Sequence, residues 1–205
     1  MIGIFLLILG VIMLGTASVC YAIDDPYLTS FLFSSFITIF SAGILILAFR
    51  TEFLELATRQ AFLLTFLTWT TLSLFAAIPL LLSFDGISFV DAYFETVSAL
   101  TTTGASIFPN VDMQGISIHL WRAFLAGFGG IGVIVLAIAV LPILKIGGMQ
   151  LLMTESSEKS EKFLPRTTQI ATTISLIYLA LISICAFVYW IMGMPGFEAI
   201  FYAIT

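Results

Sequence analysis

Between two long apolar runs lies a stretch that cannot behave as they do. Residues 88–106 read SFVDAYFETVSALTTTGAS. They are too polar for a lipid-facing helix and too short to cross a bilayer. The stretch opens like a helix, with Ser88 placed as N-cap and Asp91 three residues on as its partner. About a dozen helical residues rise roughly 18 Å, near half of a bilayer core. The helix then gives way to Thr101, Thr102, Thr103, Gly104, Ala105 and Ser106, four hydroxyl residues around one glycine. A half-membrane helix that ends in a Thr/Gly strand is how a pore loop is built. A re-entrant or interfacial amphipathic segment with a Thr-rich cap is the competing reading.

The surroundings decide that a membrane is involved. Of the 205 residues, 60% are hydrophobic and only 9% charged, too few charges for a soluble surface. Five apolar runs are long enough to span, at about 2–23, 29–49, 61–83, 119–144 and 167–192. The first has no Lys or Arg before it and no clean cleavage site after it, so it reads as a mature span rather than a leader. The chain has no basic cluster, and nucleic acid is excluded as a partner; membrane lipid is the expected surrounding. Cys20 and Cys185 sit inside apolar runs without neighbours for a metal or redox motif, and read as small core residues.

Charge placement orients the spans. Arg50, Arg59, Lys145, Lys159, Lys162 and Arg166 fall in the links after the second and fourth spans, and only Arg122 lies on the other side. The positive-inside rule therefore puts the N-terminus in the cytoplasm and the Thr/Gly loop on the outer face.

The chain also repeats itself at an offset of 107 residues. Gly86 meets Gly193, Asp91 meets Glu198, Ala92 meets Ala199 and Phe94 meets Phe201. The expected fold is an all-α polytopic membrane protein. A transmembrane hairpin (1–58) leads a first helix–pore loop–helix repeat (59–150), a cytoplasmic link (151–166) and the start of a second repeat (167–205). In that register Gly104 has no counterpart before Thr205, so the sequence is expected to be a fragment cut inside a second pore helix. One such repeat cannot enclose a pore alone.

A permeating cation needs oxygen ligands to replace its water, with no single site too tight. Backbone carbonyls supply them where a strand is bent to face the axis, which calls for a residue that accepts positive φ, as Gly104 does. Irregular backbone at membrane depth is tolerated only if it is buried in protein or lines water. The pore helix also points its negative end at the membrane centre, which favours a cation.

FETVSALTTTGAS (94–106) resembles the first filter segment of the TrkH-type potassium-uptake proteins, within the wider Trk/Ktr/HKT superfamily. LWRAFLAGFGGIGVIVLAIAVLPILKIGGMQLL (120–152) is similar to the segment that follows it there, with its Trp-Arg pair, GGIG, LP and GGMQ. The resemblance implies four repeats around a potassium pathway in the bacterial inner membrane, each repeat giving one filter strand. By position, Thr102, Thr103, Gly104, Ala105 and Ser106 would form the first strand, with the carbonyls of Thr102, Thr103 and Gly104 as potassium ligands and Thr101 beside them. A single glycine implies a less rigid filter and more modest selectivity than a potassium channel's. Potassium is then the transported ion, with no organic cofactor. The resemblance further implies a homodimer and a cytoplasmic nucleotide-binding regulatory subunit.

Several residues keep two readings. Arg122, a charge at the outer end of a span, either pairs structurally with Glu95 or Asp112 or acts directly in function. Glu95 either braces the filter or adds negative potential at its mouth. Gly127, Gly129, Gly130 and Gly132 either let helices approach closely or line the pathway with bare backbone. ESSEKSEK (155–162) is either a solvated link or a contact for the regulatory partner. Gly147 and Gly148 are expected to break the fourth span. There is no GxSxG, HExxH or Walker A motif and only one histidine, His119, so the chain is not expected to be an enzyme. A non-pore membrane scaffold and a secondary transporter with a broken-helix site remain the alternatives.

Overall fold

The computed structural model describes residues 1–49, 58–108, 115–144 and 163–205. Arg50, Asp112, Lys145, Gly147, Gly148, Lys159, Lys162 and the ESSEKSEK link lie outside the described residues. Seven α-helices are described: α1 (Ile2–Ala22), α2 (Leu28–Ala48), α3 (Thr58–Ser83), α4 (Phe89–Leu100), α5 (Ile116–Leu144), α6 (Phe163–Ile191) and α7 (Gly196–Ile204). The chain is thus all-α, a leading hairpin followed by a helix–short helix–helix unit and a second helix with its own short helix. The link expected at 151–166 gives way to helix at Phe163, with Pro165 in the first turn, where a missing N–H costs nothing.

Stretches in four of these helices are long and apolar enough to cross a membrane: Ile2–Ala22, Leu28–Ala48, Phe62–Ser83 and Thr172–Ile191. The 29 residues of α5 rise about 43 Å at helical pitch. Outward-facing Val11, Phe36, Phe40 and Leu47 are exposed apolar side chains, as a lipid-facing surface requires.

The helices fall into two compact units. The first carries α1, α2, most of α3, α4 and the first half of α5. The second carries the remainder of α5, α6 and most of α7.

In the first unit, α1 and α2 approach closely because glycine and serine line their contact. A Cβ at Gly3 would meet Ile46, and one at Gly10 would meet Ile39. Ser35 Oγ donates to the Gly10 carbonyl at 2.8 Å. Lipid offers no hydrophobic drive between helices, so such close approach and cross-helix bonding supply the association. The turn between the two is built on Asp25, whose Oδ1 accepts the Tyr27 N–H at 3.0 Å while Oδ2 accepts the Ser117 hydroxyl at 2.7 Å. One carboxylate thereby shapes the hairpin turn and ties it to the start of α5.

α3 is held from both sides. Ser30 Oγ of α2 donates to the Leu82 carbonyl at 3.0 Å, and Trp121 Nε1 of α5 donates to the Ala76 carbonyl at 3.2 Å. Trp121 is fully buried and meets Phe31 edge-on at 5.8 Å. Cys20 lies in this core; Cys185, expected to be a core residue too, is only half-buried on α6, a helix that spends its surface on solvent or lipid rather than protein.

The 107-residue repeat is visible as local geometry. Gly86 (φ +87°) ends the turn after α3, and Gly193 (φ +97°) ends the turn after α6. Each glycine is followed three residues later by the first residue of a short helix, Phe89 in α4 and Gly196 in α7. Both short helices carry an acid in the first turn, Asp91 and Glu198, where the positive end of the helix dipole favours it.

Candidate functional site

The short helix α4 starts as its sequence dictates. Ser88 Oγ accepts the Asp91 N–H at 3.1 Å and donates to Asp91 Oδ2 at 2.7 Å. Twelve residues later the helix stops. The N–H groups of Thr101, Thr102 and Thr103 return to the carbonyls of Val97 (2.9 Å), Ala99 (3.0 Å) and Ser98 (2.9 Å). The last two bonds are those of a Schellman motif, which needs a left-handed residue at its centre. That residue is ordinarily glycine, and here it is Thr102, at φ +56°. A β-branched residue in this region stores roughly 1–2 kcal/mol of strain.

Gly104 is also left-handed, at φ +76°, and Thr103 between them is not. The strand leaving α4 therefore alternates backbone hand at successive residues. Residues 101–105 are exposed, and a Cβ on Gly104 would meet nothing within 4 Å. Above this strand the Thr101 and Thr103 hydroxyls bond each other at 2.8 Å, and Thr101 Oγ1 also reaches the Val97 carbonyl at 2.8 Å.

The far leg of the loop is fixed by a buried carboxylate. Glu95, only 1% exposed, pairs through Oε1 with Arg122 Nη1 at 3.0 Å. Its Oε2 accepts the Ile107 N–H at 3.0 Å. Ser106 Oγ donates to the same carboxylate at 3.0 and 3.1 Å, and accepts from Arg122 Nη1 and from the Phe108 N–H, both at 3.2 Å. The one proton and both lone pairs of that hydroxyl are in use. A residue in α4, a residue in α5 and the returning chain thus meet on one ion pair.

Two further features, at Ser98 and Thr96, were not singled out from the sequence, and a third, at Gly129, meets the close-approach reading of the clustered glycines. Ser98 Oγ donates to the Ala105 carbonyl at 2.6 Å. It lies three residues after Glu95, so both project from one face of α4 toward the returning strand; that spacing was its signal. Gly129 of α5 packs its bare backbone on the Leu100 carbonyl at the end of α4. Thr96 Oγ1, 3.0 Å from the Ser73 carbonyl, fastens α4 to α3. Of the other clustered glycines, Gly127 faces Ile204 and Gly130 faces the Tyr178 ring, so these glycines serve close packing. Among the described residues there is no group of His, Cys, Asp and Glu arranged to hold a metal ion.

The sequence expectations thus map onto one place. Thr101, Thr102, Thr103, Gly104, Ala105 and Ser106 form a continuous strand behind α4, and Glu95 and Arg122 form the ion pair behind Ser106.

A model of the TrkH cation transport proteins matches residues 28–205. The potassium uptake protein TrkH of Vibrio parahaemolyticus is 39% identical over 206 residues, covering 97% of this chain and 42% of that protein. The potassium uptake protein TrkI of Halomonas elongata is 44% identical over 146 residues, covering 71% of this chain and 30% of that protein. The crystal structure of the potassium transporter TrkH from Vibrio parahaemolyticus superposes with a TM-score of 0.85 at 35% identity, over 98% of this chain and 40% of that one. The chain spans well under half the length of the relatives it matches. The fit extends from the first span to the last short helix, and on it the chain belongs to the TrkH family of cation transport proteins.

Proposed function

We propose that this chain supplies the first filter strand of a potassium-uptake pathway in the bacterial inner membrane, with its N-terminus in the cytoplasm. The observation that carries the reading is the alternation of hand at Thr102 and Gly104 on an exposed strand at the end of a half-membrane helix. In a regular strand successive carbonyls face opposite ways. A positive φ at every second residue turns them to one side, where they replace the water of a dehydrated cation. The names of the relatives supply the ion, potassium. The braced Ser106 and Ile107 keep the far end of the strand from moving as ions pass.

In this reading the carbonyls of Thr102, Thr103 and Gly104 are the ligands of the transported potassium. Thr101, Glu95 and Arg122 support them, and Ala105 and Ser106 complete the strand. Three further strands from equivalent repeats close the ring. A homodimer and a cytoplasmic nucleotide-binding subunit complete the proposal; these two rest on the family resemblance.

The test uses the full-length protein in cells lacking other potassium uptake. Gly104→Ser forces a Cβ into left-handed backbone, at a cost of roughly 1–2 kcal/mol. Preference for potassium over sodium should fall about tenfold at unchanged abundance in the membrane. A folded Gly104→Ser protein with wild-type preference would remove Gly104 from the filter.

A further inference from the structure

Gly104 is suspended between two anchors, and both belong to one residue. On its N-terminal side, the Thr103 N–H is held by the Ser98 carbonyl at 2.9 Å. On its C-terminal side, the Ala105 carbonyl is held by the Ser98 hydroxyl at 2.6 Å. Ser98 itself is 4% exposed, so its end of each bond is withdrawn from bulk water, while Thr103 and Ala105 lie at the exposed face. Glu95, one turn earlier on the same face, takes over at Ser106 and Ile107.

We infer that Ser98 is a specificity-determining positioning residue. By engaging the Ala105 carbonyl it turns that oxygen back toward α4, ends the run of ion-facing carbonyls at Gly104, and sets the span over which Gly104 can flex. This rests on the reading of residues 102–104 as potassium ligands. Where cavity size tells potassium from sodium, the carbonyls must resist closing onto the smaller ion. A glycine with no side chain and open space around it has no resistance of its own. The resistance comes from its two neighbours, and Ser98 holds both.

The two anchors separate experimentally. Ser98→Ala removes the hydroxyl bond to Ala105 and leaves the main-chain bond to Thr103, so the strand stays attached to α4. Measured as competing rubidium and sodium uptake by the full-length protein in liposomes, Ser98→Ala should lower the rubidium preference about two- to tenfold, the range one hydrogen bond spans. The loss should appear chiefly as a lower KM for sodium, whereas a merely structural role would lower uptake of both ions in proportion. Ser98→Cys keeps the volume and a weaker donor, and should fall between the two; it also serves if the alanine variant fails to reach the membrane. Thr96→Val, which loosens α4 from α3 without touching the strand, should leave the ratio at its wild-type value. A wild-type ratio in folded Ser98→Ala or Ser98→Cys protein, with Gly104→Ser altered, would overturn the role of Ser98 alone. Wild-type ratios in all of these variants, Gly104→Ser included, would overturn the filter reading and this inference with it.

Discussion

Replacing Glu95 with alanine should destabilise the protein by about 3–5 kcal/mol, the cost of breaking a buried ion pair by deleting one partner. The carboxylate is almost fully buried and serves three donors at once: Arg122, Ser106 and the Ile107 N–H. Removing it strands a guanidinium whose side chain is only 13% exposed. It also leaves a main-chain N–H without its acceptor. The free energy should therefore depend on what happens to Arg122. In the Glu95→Ala background, Arg122→Met removes the stranded charge and should recover part of the loss, giving a coupling above about 1 kcal/mol in a double-mutant cycle. Glu95→Gln retains an acceptor for Ile107 and should lose less than Glu95→Ala. Detergent-titrated unfolding of the purified protein measures these three variants and Arg122→Met alone, which completes the cycle. Additive losses from Glu95 and Arg122 would show that the pair does not act as a unit.

Gly129→Ala should be nearly as damaging, although it adds a single methyl group. That methyl would occupy the position of the Leu100 carbonyl. Leu100 is the last residue of α4, and its neighbours Ser98 and Ala99 hold Thr103 and Thr102 through their carbonyls. The obstacle is backbone, so no rotamer change relieves it. The end of α4 must move, and the strand moves with it. Overpacking of this kind costs about 1–3 kcal/mol or more, and potassium uptake should fall with stability. Gly15→Ala provides the contrast. Gly15 lies in α1 with nothing within 4 Å of an added Cβ, so alanine should stabilise its helix by up to about 1 kcal/mol. Equal effects of the two substitutions would mean that helix propensity, not contact with Leu100, sets the outcome.

Most of the fold was legible because bilayer chemistry leaves few choices. Apolar runs of about 20 residues become spanning helices, and the described helices begin and end within a few residues of those runs. The short helix was legible from one cap, Ser88 with Asp91, and the repeat from four pairs at one offset, of which Gly86 and Gly193 share a positive φ in the structure. Gly104 was expected to take positive φ for the same reason. Thr102 was not, since a β-branched residue gives no local sign of it; the Schellman closure of α4 imposes it. Glu95 and Arg122 were each conspicuous as charges in apolar surroundings. Their pairing was one of the readings open to Arg122, beside a pair with Asp112; that Ser106 joins it was not legible, because only the return of the chain brings that hydroxyl between residues 27 positions apart. Ser98 escaped notice because small residues in membrane helices usually mean packing alone; Gly129 was legible as a glycine of close approach, but its partner, the Leu100 carbonyl, was not.

The claim on which the rest depends is that the carbonyls of Thr102, Thr103 and Gly104 hold the transported ion. Rubidium, a potassium congener with strong anomalous scattering, locates it directly in crystals of the full-length protein. An anomalous peak is expected within coordination distance of these three carbonyls, on the side away from Ser98 and Glu95. Rubidium peaks elsewhere in the protein, with none at these carbonyls, would contradict it.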